Sequence, residues 1–160
     1  MKEKLEEQIG ECLGLERAAQ QAVEDIASKG LLDKPGVKSK IMRMREEAGS
    51  HEDRLEQVID RVIDSEGLDR GNIDSSADET VQKATEIMKT YLGEDPDTLD
   101  ALEFLCLAEG GEVTHYEVLS KYVPKLKDKG FGAAVKSILS QEKRHLRLCT
   151  QLAKQNAGKE

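Results

Sequence analysis

The stretch LAEGGEVTHYEVL, Leu107 to Leu119, decides how the chain folds. Its positions step by three and four, the spacing of one helix face turned toward a core, and Leu102, Leu105, Tyr116, Leu119 and Val123 carry that face on either side. Glu109 and Glu112 fall on the same face, interrupted by Gly110 and Gly111. An ionised carboxylate in a helical core costs several kcal/mol unless a cation, a proton or an ion-pair partner compensates it. The two glutamates are therefore either edge positions or members of a buried polar group.

The same stepping elsewhere favours the second reading. One helix is predicted from about residue 3 to Lys29, with the stripe Leu5, Ile9, Cys12, Glu16, Ala19, Val23, Ile26. A second, from Val37 to about Gly67, carries Val37, Ile41, Met44, Ala48, His51, Leu55, Val58, Val62. A helix entered at Gly130 to Gly132 and running to about Gln155 carries Phe131, Val135, Ile138, Glu142, His145, Cys149, Leu152. Each stripe is apolar at both ends and polar near its middle, and no Lys or Arg lies on any of them. One such interruption reads as an edge; four at one depth read as a polar layer whose simplest compensation is a bound metal.

Spacing narrows the chemistry. Glu142 and His145 form an E-x-x-H pair, which sets a carboxylate and an imidazole about 4.5 Å apart along one helix face. Glu112 with His115 repeats the spacing, and Glu47 with His51 is an i, i+4 pair. Glutamates from two helices joined by Glu and His pairs from two others make the carboxylate-bridged dimetal site of four-helix bundles. Carboxylates with a few imidazoles suit iron or manganese, and the absence of cysteine from the set argues against a zinc–thiolate or iron–sulfur site.

Composition agrees with an all-α chain. The 160 residues include no Trp, two Phe and three Pro, and the net charge of -8 argues against nucleic acid as a partner. A chain of this length fits one domain, residues 1–160. Three widely spaced cysteines, Cys12, Cys106 and Cys149, suit a reducing cytoplasm, and no apolar run approaches the roughly 18 residues of a membrane span. Cys106 and Cys149 are placed toward one end of the bundle and Cys12 toward the other, as core residues rather than as a thiol pair. Between the second and third stripes, LDRGNIDSS reads as loop, with Ser76 and Glu79 in the spacing of a capping box, and a helix follows over about 77–92. Asp95-Pro96 opens the next helix, which Pro124 ends or kinks.

Four segments together resemble the core helices of the ferritin-like superfamily: ERAAQQA from Glu16, EEAGSHEDRLEQVIDRVI from Glu46, EGGEVTHYEVLSKYVP from Glu109 and SILSQEKRHLRL from Ser137. The likeness is nearest to the Yci-type ferritin-like stress proteins and to rubrerythrin. It implies a ferritin-like four-helix bundle with a long crossover, containing an extra helix, between core helices 2 and 3. It further implies a metal set of Glu16, Glu47, His51, Glu109, Glu112, Glu142 and His145 holding two irons, or manganese, with Glu112 the first choice for a bridging ligand. The second helix departs from the pattern, since Ala48 stands where the glutamate three before His51 would be; Glu47 needs a local π-type bulge at Gly49 to point inward. The implied activity is reaction with oxygen or peroxide in iron handling or oxidative-stress defence. The alternatives are a non-enzymatic stress or interaction bundle with an incomplete site, and an oxygenase acting on an organic substrate. The partners implied are metal ions and oxygen or peroxide, with a homodimer on the outer faces of two helices as an allowed assembly.

Overall fold

Three aspartates set the helix starts. Asp69 accepts hydrogen bonds from the Gly71 and Asn72 amides, Asp97 from the Asp100 amide, and Asp128 from the Phe131 amide. Each satisfies a backbone N–H that a helix start leaves without a partner. Asp100 returns the favour to the Asp97 amide, completing a reciprocal cap. In the computed structural model, which describes residues 1–159, the helices are α1 (Lys2–Ser28), α2 (Lys38–Glu66), α3 (Arg70–Leu92), α4 (Thr98–Tyr122) and α5 (Lys129–Asn156). A short 3-10 turn, Val123–Lys125, follows α4 at Pro124. No strand occurs among the described residues, and no helix is long and apolar enough to cross a membrane.

Two boundaries differ from the sequence reading. Helix α3 begins at Arg70, not at 77, so RGNIDSS is helical and Ser76 lies inside the helix rather than capping it. The loop-like composition is overridden because Asp69 caps the helix and because Glu6, buried on α1, accepts from the Asp69 amide and the Asn72 side chain. Ile73 and Ala77 then bury fully against α1. Helix α4 begins at Thr98, two residues past Pro96, because the Asp97–Asp100 cap closes there.

The helices alternate in direction. The apolar interior falls into two clusters, and which end of each helix enters which cluster gives its sense. One cluster joins Leu5 to Leu13 of α1, Leu55 to Val62 of α2, Ile73 and Ala77 of α3, Tyr116 and Leu119 of α4, and Phe131 to Ile138 of α5. The other joins Ala22 to Ile26, Ile41 and Met44, Met88 and Leu92, Ala101 to Leu105, and Cys149 and Leu152 of the same helices. So α1, α3 and α5 run one way and α2 and α4 the other, which makes α3 the connection that carries the chain back along the bundle. Its 23 residues span about 34 Å. Helix α1 packs against α2, α3 and α4, and α5 against α2 and α4. The α1–α3 contact is close because Gly10 and Gly14 have no side chain there: a Cβ on either would lie 2.4 and 2.5 Å from the Ile73 and Ala77 carbonyl oxygens.

Every residue of the four predicted stripes is buried except Val123, which lies in the 3-10 turn and is half-buried. The polar middles of the stripes lie between the two apolar clusters.

Candidate metal centre

Between those clusters lie Glu16 of α1, His51 of α2, Glu109 and Glu112 of α4, and Glu142 and His145 of α5, none more than 4% exposed. Their side chains meet because each occupies the middle of its helix's buried stripe. Glu142 stands at the centre. Its Oε1 lies 2.7 Å from His51 Nδ1, and its Oε2 lies 3.5 Å from His145 Nδ1. Glu16 Oε1 approaches His51 Nδ1 to 3.3 Å, and Glu109 Oε2 approaches His145 Nδ1 to 3.7 Å. Two groups of three result, Glu16–His51–Glu142 and Glu109–Glu142–His145, and in each the donor atoms lie within 4.8 Å of one another. Glu142 belongs to both. The imidazole rings stack 5.8 Å apart between centroids.

The outer sides of the imidazoles are held from behind. His145 Nε2 lies 2.8 Å from Glu47 Oε2, and His51 Nε2 is hydrogen-bonded to the Gln141 side-chain oxygen. A ring nitrogen that donates to an oxygen outside the cluster fixes the tautomer, and leaves Nδ1 as the atom offered to a cation inside. Tyr116, fully buried, donates from its hydroxyl to Glu16 Oε1 at 3.0 Å and orients that carboxylate.

The donor set passes a test of fit. Buried polar atoms in folded proteins are nearly always hydrogen-bonded. Here Glu16 Oε2, Glu109 Oε2, Glu112 Oε1, Glu142 Oε2 and His145 Nδ1 are buried and have no hydrogen-bond partner. Five such atoms, from three helices and in one layer, are oxygen and imidazole donors of the kind that could hold a metal ion.

Without metal the layer is held by protons. Burial drives the carboxyls of Glu16 and Glu112 well above the usual carboxylate range, and the charge of Glu142 beside Glu16 and of Glu109 beside Glu112 adds to it. Burial likewise lifts Glu109, and the neighbouring His145 limits the rise to about 7. Burial opposes the charged form of both histidines, but the Glu142 and Glu16 contacts carry His51 up to about 10 and those of Glu109 and Glu142 carry His145 up to about 11. Glu142 feels the same burial, and its approach to His145 and its hydrogen bond with His51 outweigh it and hold the carboxylate well below its ordinary range. Without metal, Glu142 thus favours its ionised form and the two histidines theirs, while Glu16 and Glu112 favour their protonated forms.

The predicted residues are distributed as follows. Glu16, His51, Glu109, Glu142 and His145 form the two groups; Glu112 lies in the same layer with its unpartnered Oε1 but in neither group. The carboxylate that the two groups share is that of Glu142, where Glu112 was expected. Glu47 does not enter the layer. Helix α2 is regular throughout Lys38–Glu66, with no π-type bulge, so position 47 points to the side of the stripe, where its carboxylate is a third exposed and also lies 3.7 Å from Arg43. Gly49 serves a different neighbour, Gln20, whose side-chain oxygen would lie 3.2 Å from an added Cβ. His115 stays beside the layer, bonded to the Gly111 carbonyl and 3.5 Å from Glu11. Cys149 faces Met44 at 3.6 Å and Cys106 faces Thr150 at 3.8 Å, both toward one end, while Cys12 lies in the other cluster.

No protein-family model, curated protein or solved structure matches the chain. What the chain holds is a helical bundle with buried carboxylate and histidine groups able to bind a metal ion.

Proposed function

We propose that the chain is a ferritin-like dimetal-carboxylate protein that holds two irons, or two manganese ions, and reacts with oxygen or peroxide. One observation carries the reading: unpartnered buried donor atoms converge around Glu142 in two groups that share it, each with one imidazole whose far nitrogen is already engaged. Glu16, His51 and Glu142 would hold one ion, and Glu109, Glu142 and His145 the other, with Glu112 beside them. Carboxylates and imidazoles are the donors iron(II) and manganese(II) take. Bound iron would supply the electrons for reducing the oxidant. The residues of the chain supply the rest. Gln141 and Glu47 keep the imidazoles aimed, Tyr116 holds Glu16, and the protonated carboxyls of Glu16 and Glu112 give up their protons as cations enter.

A rival reading keeps the bundle and dispenses with metal, and the 2.7 Å contact between His51 and the Glu142 carboxylate favours it to the extent that an ion pair already neutralises part of the layer. Loading with ferrous iron under anaerobic conditions, followed by metal analysis, separates the two. The dimetal reading expects two irons per chain, lost in Glu142→Ala, and uptake of oxygen when air is admitted. Iron far below stoichiometric, and the same in the variant, would leave the rival.

A further inference from the structure

A cavity of about 590 Å³ lies between α1, α3 and α4, well within the range of about 300–1,000 Å³ for small-molecule sites. Its inner end, toward the middle of the bundle, is lined by Glu109 and Glu112, the two α4 carboxylates with unpartnered buried oxygens, and by His115. Its walls are apolar and its width comes from small residues: Ala18, Ala19 and Ala22 on α1, Ala84 on α3, and Ala108 and Gly111 on α4. Larger side chains at these places would close it. A Cβ at Gly111 would meet nothing within 4 Å, so the missing side chain serves open space rather than a packed neighbour. The lining runs along α1 from Leu15 to Lys29, about 21 Å at the helical rise. At the outer end stand Lys29 and Lys89, with Asp25 paired to Lys29 at 3.0 Å.

We propose that this slot binds an elongated aliphatic molecule, chain end against Glu109 and Glu112 and anionic head at Lys29 and Lys89, as a reactant brought to the metal centre. The inference rests on the dimetal reading for the role of the inner end, but not for binding itself. A slot whose only purpose was to admit oxygen or peroxide would not need this length or these apolar walls. A surface made only for another protein would not lead to unpartnered buried carboxylates. Ile87 and Leu107, both about half exposed at the slot's lip, extend the apolar path to solvent.

Calorimetric titration of the metal-free protein with dodecanoate tests the binding. Saturable one-to-one binding is expected, with Kd raised at least about tenfold, or about 1.4 kcal/mol, in Gly111→Leu and in Ala108→Leu. Gly111→Leu adds a good helix former into open space, so it should fold at least as well as the parent. Glu142 does not line the slot, so Glu142→Gln, confirmed folded by circular dichroism, should lose iron while the dodecanoate Kd stays within about twofold, and metal loss and ligand loss are read separately. With manganese loaded, the terminal methyl of dodecanoate should broaden more than the protons next to its carboxylate. The absence of saturable binding, unchanged binding in both slot variants, preferential broadening at the carboxylate end, or a stable dimer that buries Ile87 and Leu107 and excludes dodecanoate would each overturn the proposal.

Discussion

Glu142 is the residue on which the centre turns, because it is the one carboxylate within reach of both imidazoles. Glu142→Gln keeps the shape and removes the counter-charge of two buried cations. Breaking a buried ion pair in this way costs about 3–5 kcal/mol, so urea unfolding of the metal-free variant should show a loss of that order. The two outer holders act differently. Gln141 and Glu47 touch ring nitrogens that face away from the layer, and removal of such partners typically weakens metal affinity by about 10–100-fold. Gln141→Ala and Glu47→Ala should therefore retain the stoichiometry of the parent in metal analysis, with weaker binding in competition against a chelator. Full loss of metal from Glu47→Ala would make Glu47 a ligand, contrary to its place beside the layer.

At the scale of the helices, the close pairing of α1 and α3 depends on two glycines. An alanine at Gly10 or Gly14 would press on backbone carbonyls of α3, which cannot swing aside as a side chain can. Overpacking of this kind costs roughly 1–3 kcal/mol, and thermal unfolding of Gly10→Ala should report it while iron stoichiometry stays at the parent's value. This contact also marks what the sequence could and could not yield. The four stripes named the buried faces, and with them Glu16, His51, Glu109, Glu112, Glu142 and His145, because burial on a helix repeats with a period that a sequence displays. Gln141 and Glu47 stand just off those stripes and act through contacts between helices, for which no period exists. The start of α3 was hidden for a related reason: Arg70 to Ser76 have poor helix formers, and the Glu6 carboxylate that anchors them lies some sixty residues earlier in the chain. Glycines at positions 10 and 14, one turn apart on one face, were the available sign that another helix passes close by.

Across the whole molecule, two apolar clusters sandwich a layer that is costly to leave half satisfied, and protons and metal ions compete to satisfy it. Glu109, Glu16 and Glu112 bind protons more tightly folded than unfolded, so the metal-free protein should lose stability as pH rises from about 4.5 through about 7, the value for Glu109. The raised histidines act in the same sense at higher pH. Their contribution is complete below about 6.5 and is lost as pH climbs through about 10 to 11. Glu142, held low, acts oppositely: its contribution is present above about 4.5 and is lost as pH falls through its depressed value. Metal entry expels the protons, so iron(II) affinity should rise with pH and the gain in urea midpoint on loading should be larger at pH 8 than at pH 6. A gain that shrinks with pH would mean that the ions bind elsewhere.

The most direct test is an anomalous difference map, at the iron edge, of a crystal grown anaerobically with ferrous iron. Two peaks are predicted in the layer between the apolar clusters, one bounded by Glu16, His51 Nδ1 and Glu142 and the other by Glu109, His145 Nδ1 and Glu142. A layer without anomalous density, with His51 still hydrogen-bonded to Glu142 and His145 Nδ1 still beside it, would contradict the dimetal assignment.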